Sequence, residues 1–222
     1  MGQDRLSFRN NTTILIMIKF LTRFLIALLL ASIIVIYSTK NRVNNEVIST
    51  QTQNIGGDFT LTNQDGAQVS DADFRGKIML VFFGFTNCGD ECPATAATFA
   101  RVLDNLGDKA AEVTPVLITV DPKRDTPAVL KDFLAKFDTR IVGLTGSEED
   151  IQKLMAEYQA YARNKEANSS SSEDYEIDHS SFIYLMDKDG KYAQHFSYDA
   201  PVEAVTKAVE ELLNKTSEPP AN

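Results

Sequence analysis

The sequence predicts an α/β domain with a mixed central sheet flanked by helices, carried behind a single N-terminal transmembrane helix. Three observations support this. The apolar runs KIMLVFFGF (77–85) and VTPVLITV (113–120) suit strands buried on both faces. Apolar residues at helical spacing follow each of them. Far upstream, FLIALLLASIIVIY (24–37) carries no charge.

Residues 1–23 form a basic flank, and 24–37 are the core of an anchor spanning about 14–37 once Lys19 and Arg23 snorkel to the headgroups. Arg5, Arg9, Lys19 and Arg23 precede the core, whereas Lys40 and Arg42 follow it. The positive-inside rule then predicts a cytoplasmic N-terminus with the domain on the far side. A cleaved signal peptide is the alternative, although bulky Ile33–Tyr37 obscure its small-residue cleavage pattern. Met17 opens a complete basic-then-apolar N-terminus and is a second candidate start. The intact mass of the native protein distinguishes the two. Residues 38–53 are polar and read as a linker, 54–214 as the domain, and 215–222 as a polar tail.

Within the domain, DFTLT (58–62), a turn at 63–66 and Gln68-Val69 predict an entrance hairpin. The strand at 77–85 leads through Cys88, Cys92 and Pro93 into a helix with Ala96, Phe99, Ala100, Leu103 and Leu106 on one face, ended by Gly107. After the strand at 113–120, Thr126-Pro127 caps and opens a helix. A short strand at 141–144 follows, and Ser147 caps a helix with Glu148, Glu149 and Asp150 in its first turn. NKEANSSSSEDYE (164–176) reads as a mobile loop. SSFIYLM (180–186) and 191–196 form a hairpin turned by Asp187–Gly190, and Pro201 opens the last helix. That hairpin turn outweighs a calcium loop, whose remaining ligands are missing.

The net charge is −9, which argues against nucleic acid as a partner. Acidic charge keeps such a domain soluble. There is no glycine-rich phosphate loop and no internal repeat.

The chemistry gathers at VFFGFTNCGDECPAT (81–95), which holds the chain's only cysteines, Cys88 and Cys92. Three readings compete: a structural disulfide, a redox dithiol, and two thiolate ligands for a metal. A three-residue spacer closes too small a loop for much entropic stabilisation by a disulfide. A strand-to-helix junction favours thiolates, because the helix dipole and its unpaired N–H groups stabilise negative sulfur. A cysteine pair there is the thioredoxin arrangement, so the fold class becomes thioredoxin-like. Redox pairs of that fold usually have two residues between the cysteines. The longer spacer turns both sulfurs toward one external point, and paired thiolates suit a soft cation such as Cu(I). A third ligand must then come from elsewhere. Of the two histidines, His179 stands just before a late strand, on a loop that faces the cysteines in thioredoxin-like folds, and it can complete a Cys₂His site. On its own it would read as a surface or capping residue. Asp178 could orient the imidazole. His195 lies in a hairpin strand and reads as surface. Asp121 and Asp125 read as a strand end and a helix start.

The strand-CxxxCP-helix motif (Cys88, Cys92, Pro93), DHSSFIYLMDKDG (178–190), ITVDPKRDTP (118–127), GDFTLT (57–62), DFRGK (73–77) and FDTRIVGLTG (137–146) together resemble the SCO/SenC family of copper proteins. The resemblance covers about residues 54–214. It implies a thioredoxin fold that binds one copper, as Cu(I) or Cu(II), through two cysteines and a histidine, by position Cys88, Cys92 and His179. It also implies a membrane-anchored metallochaperone rather than an enzyme, one that helps assemble the binuclear copper centre of cytochrome c oxidase. The partners implied are the copper-bearing oxidase subunit and a periplasmic copper donor or thiol reductase. The anchor places the chain in a bacterial inner membrane with its domain in the periplasm; a mitochondrial inner membrane fits less well, since no long Arg/Ser-rich transit segment precedes the anchor. Members often read T-H-C-P-D-x-C-P. Here Asn87 and Gly89 replace a His and a Pro that are not ligands. The alternative is a periplasmic thiol-disulfide oxidoreductase, which needs Cys88 and Cys92 as its catalytic dithiol but not His179. A peroxidase would want one peroxidatic cysteine beside an Arg and a Thr, and fits less well.

Overall fold

A computed structural model of the protein describes residues 55–164 and 175–215, together with the isolated positions Arg23, Leu30 and Ser32. Apart from those positions, the expected anchor, the linker, Met17, residues 165–174 of the Ser-rich run and the tail from 216 lie outside the described residues. Among the described residues, no helix is long and apolar enough to cross a membrane.

The entrance hairpin is β1 (Thr60–Asn63) paired antiparallel with β2 (Gln68–Ser70), followed by a short 3₁₀ turn, Asp71–Phe74. Next comes β3 (Ile78–Gly84), buried at every position as its unbroken apolar run requires. Its side chains alternate between two cores. Ile78, Leu80 and Phe82 join one, and Met79, Val81 and Phe83 the other. Leu80, Phe82 and Phe83 are fully buried, and each such burial contributes about 1.5–3 kcal/mol.

Helix α1 (Glu91–Leu106) packs Cys92, Ala96, Phe99, Val102 and Leu103 into the first core. It begins two residues earlier than Pro93 suggests, so Cys92 lies inside its first turn. After β4 (Val113–Thr119), helix α2 (Pro127–Leu134) starts at the predicted cap, with Thr126 Oγ1 accepting from Val129 N–H at 3.4 Å. β5 (Val142–Thr145) leads to α3 (Glu148–Glu157), where Ser147 Oγ accepts from Asp150 N–H at 3.1 Å. The hairpin of β8 (Phe182–Met186) and β9 (Tyr192–Ser197) turns at Gly190, whose positive φ of 72° suits glycine. Asp187 Oδ1 accepts from the amides of Asp189 and Lys191 there, which makes this carboxylate a turn brace rather than a calcium ligand. Helix α4 (Val202–Lys215) ends the described chain.

The sheet order is β2-β1-β5-β4-β3-β8-β9. β3, β4 and β5 are parallel, and the flanking strands are antiparallel. Helices α1, α2 and α4 cover one face through Phe99, Leu130 and Val209. Helix α3 covers the other through Ile151, Leu154 and Met155.

One element departs from the sequence reading. The segments that flank the Ser-rich run form a second, two-stranded sheet, β6 (Ala162–Asn164) antiparallel to β7 (Ile177–His179). His179 therefore sits in a strand, paired with Ala162, instead of trailing a loop. Each strand is three residues long and mostly polar, too short for an alternating pattern to register.

Candidate metal centre

Cys88, Cys92 and His179 converge at the carboxyl end of β3. Their donor atoms all lie within 4.8 Å of one another, and both cysteines are free thiols. Three elements build this corner. β3 ends at Gly84, where a side chain has no room: a Cβ would stand 2.7 Å from Cys92 Sγ and 2.7 Å from the Phe82 ring. The first turn of α1 therefore packs directly on the strand end, and Phe85 N–H donates to Cys92 Sγ at 3.4 Å. The loop between them bends back at Thr86, whose N–H and hydroxyl both donate to Asp125, at 3.0 and 2.5 Å. Thr119 Oγ1 donates to the same carboxylate at 2.6 Å. Asp125 is fully buried and ties the cysteine loop to the end of β4. Burial holds its carboxyl above the usual carboxylate range, against the opposing pull of the Thr119 and Thr86 bonds.

His179 is 6% exposed. Its ring meets Phe82 and Phe85 edge-on, at centroid distances of 5.9 and 5.7 Å. Nδ1 lies 3.0 Å from the Ser180 carbonyl, which can only accept. Nδ1 therefore carries a proton, and in the neutral ring Nε2 turns its lone pair to the sulfurs, 3.9 Å from Cys92 Sγ. Asp178, a candidate for orienting the imidazole, instead takes Arg163 Nε and Nη2 at 3.1 and 3.0 Å. Alternation in β7 turns Asp178 away from the side that His179 faces.

The two thiols are unequal. A bond from Cys92 holds the half-buried Cys88 well below the usual thiol range, with help from His179 against the cost of burial. Cys92 is pushed up, first as the partner that shares its proton with Cys88 and then by its own burial. The helix N-terminus was expected to favour both thiolates, but the pair favours a first ionisation at the more exposed sulfur and opposes the second. Burial alone would lower the His179 imidazole; the Cys88 thiolate and the Ser180 carbonyl outweigh it, and the net shift is upward.

Sequence reasoning missed the supports. Asp121 and Asp125 do end a strand and precede a helix, but both are buried and bonded. Asp121 pairs with Arg124 and accepts from Tyr175 Oη at 2.6 Å, and Arg124 lies over the Tyr175 ring at 3.8 Å. This latch holds the residues leading into His179. A buried carboxylate needs such partners, yet nothing local in the sequence names them. His195 is an exposed residue of β9, next to Tyr192 Oη at 2.5 Å and outside the metal group. The sequence reading of His195 as surface fits that exposure.

A family profile described as SCO1/SenC matches residues 48–214. This chain belongs to the SCO1/SenC family. A SCO2-like protein of Rickettsia felis is 40% identical over 147 residues, which covers 66% of this chain and 71% of that relative. Among solved structures, ScoI of Bradyrhizobium japonicum with copper bound is 38% identical and superposes with a TM-score of 0.66, over 71% of this chain and 99% of that one. BsSco, described through a disulfide switch and as a member of the Sco family of cytochrome c oxidase assembly proteins, is 27% identical with a TM-score of 0.59, over 75% and 96% of the two chains. The mixed sheet with its flanking helices is thus the thioredoxin-like fold of SCO1/SenC proteins.

Proposed function

We propose that this chain is a copper metallochaperone that holds the ion through Cys88, Cys92 and His179 and passes it to the copper-bearing subunit of cytochrome c oxidase. The donor group itself carries the reading: two sulfurs and one imidazole nitrogen within 4.8 Å. Soft thiolates with an imidazole select copper over hard cations. The copper-bound relative and the oxidase-assembly description of BsSco support the assignment. Transfer proceeds by ligand exchange. Cys88 is the accessible donor, on a cleft of about 460 Å³ lined also by Asp90, Glu91, Tyr161 and Tyr198. A thiolate or imidazole of the target enters there and displaces Cys88 first, while buried Cys92 and His179 let go last. The uncharged stretch 24–37 and the basic residues before it support anchoring in a bacterial inner membrane, with this domain in the periplasm.

Anaerobic titration of the purified, reduced full chain with Cu(I) against a competing chelator tests this. One tight equivalent is expected, weakened about 10–100-fold or more by His179→Ala without loss of the fold. Binding indifferent to that substitution would remove His179 from the ligand set.

A second reading rests on the unequal thiols. An accessible thiolate at Cys88 beside a protonated, buried Cys92 is the arrangement of an attacking and a resolving cysteine in a thiol-disulfide oxidoreductase. That activity would survive His179→Ala and vanish in Cys88→Ser.

A further inference from the structure

Two sulfurs and a nitrogen complete a site for monovalent copper, but the divalent ion prefers tetragonal surroundings and accepts harder oxygen donors. A carboxylate stands at the imidazole corner of the group. Glu91 Oε2 lies 3.8 Å from His179 Nε2. Donors about 2 Å from one first-row ion stand no more than about 4 Å from each other, so this separation lets the imidazole and the carboxylate share an ion; Glu91 stands outside the group whose donor atoms lie within 4.8 Å of one another, so its side chain must turn inward to join the two sulfurs. The backbone of Glu91 is fixed, because it is the first residue of α1, next to Cys92. Its side chain is 35% exposed and lines the cleft that opens on Cys88. Ser181 Oγ donates to Glu91 Oε2 at 2.5 Å and lies 3.4 Å from the His179 carbonyl oxygen. The hydroxyl thus aims the carboxylate from the same turn that supplies the imidazole. The positive end of α1 favours a carboxylate there.

We propose that Glu91 is an oxygen donor selective for divalent copper, so that Cu(I) is held by Cys88, Cys92 and His179 alone and Cu(II) by these three with Glu91. This rests on the copper reading above. It makes residue 91 the position that sets the relative affinity for the two oxidation states, with Ser181 as the residue that positions it.

The test is the full chain as wild type, Glu91→Gln and Ser181→Ala, each loaded separately with Cu(I) and with Cu(II) against chelators of known affinity. Electron paramagnetic resonance of the Cu(II) forms and thermal midpoints of the metal-free forms accompany the titrations. Glu91→Gln should weaken Cu(II) about 10–100-fold and alter its spectrum, while Cu(I) affinity stays within about threefold. Ser181→Ala should move Cu(II) affinity in the same direction by less. An unchanged Cu(II) spectrum and affinity in Glu91→Gln would overturn the proposal and leave the three-donor site intact. Equal weakening of both ions would also overturn it, because Glu91 would then act through general charge or local structure. A wild-type chain that holds neither ion tightly would overturn the copper reading itself.

Discussion

Cys88 and Cys92 differ in what they must give up before a metal can bind. Cys88 is held as a thiolate by its bond from Cys92, so at neutral pH it has no proton to lose. Cys92 keeps its proton beyond the ordinary thiol range. Against the cost of burial, the Cys88 thiolate and the Ser180 carbonyl raise His179 above the ordinary imidazole range, so it gives up its Nε2 proton less readily than a free imidazole. A metal needs both sulfurs ionised and Nε2 bare. Protons therefore compete with it, and affinity must rise with pH. The slope of log affinity against pH should be about two below the imidazole transition, where Cys92 and His179 both release a proton, and about one above it. Calorimetric titration in two buffers of different ionisation heat counts those protons directly. Release of a further proton near neutrality would mean that Cys88 is an ordinary thiol and the inequality is wrong. His179→Ala should abolish the imidazole transition and leave the Cys92 proton.

At the scale of elements, the site depends on how closely β3, α1 and β4 approach. Gly84→Ala puts a methyl group 2.7 Å from Cys92 Sγ. Strand and helix are both anchored in the core, so relief has to come from Cys92 and the Phe82 ring. Overpacking of this kind costs about 1–3 kcal/mol, and metal affinity should fall with it; a variant with wild-type urea midpoint and affinity would mean that the corner is looser than a 2.7 Å approach implies. Asp125→Ala leaves the Thr86 N–H and the hydroxyls of Thr86 and Thr119 without their acceptor, at a cost of about 2–3 kcal/mol. Amide exchange at Thr86 should quicken before the rest of β3 loosens. The sequence announces part of this architecture. Unbroken apolar runs mark β3 and β4, and Thr126 and Ser147 cap helices where capping chemistry predicts. The cysteine pair and His179 are legible because their residue types are scarce in this chain. Asp125, Phe85 and the β6–β7 pairing are not, because each acts through a partner distant in sequence: Thr86 is 39 residues from Asp125, and Ala162 meets His179 across the Ser-rich run. Local pattern carries periodicity and caps, but not which buried carboxylate answers which amide.

At the scale of the whole molecule, everything the site needs lies in one stretch of chain. The donors, the rings around His179, and Asp125 with its donors all fall between residues 82 and 180. Among the described residues, both hydrophobic cores are drawn from residues 55–213, and the family match begins at residue 48. Residues 1–53 carry the uncharged run with basic residues ahead on which the proposed membrane anchoring rests. These two halves of the chain should therefore separate cleanly. Deletion of residues 1–53 should yield a protein that stays in the supernatant after ultracentrifugation, unfolds cooperatively, and binds Cu(I) within about threefold of the full chain, since every described donor and neighbour of the site is kept. The full chain should sediment with membranes and leave them only with detergent. A full chain released by high salt alone would reduce the N-terminus to peripheral attachment. A truncated chain that unfolds or binds copper much more weakly would show that the N-terminal segment contributes to the domain after all. Without the net +4 of residues 1–53, the released domain carries −13 and should also meet a basic target faster at low ionic strength. The same truncation then gives a reagent for testing the proposed transfer, by measuring how quickly Cu(I) leaves the site for a thiolate acceptor.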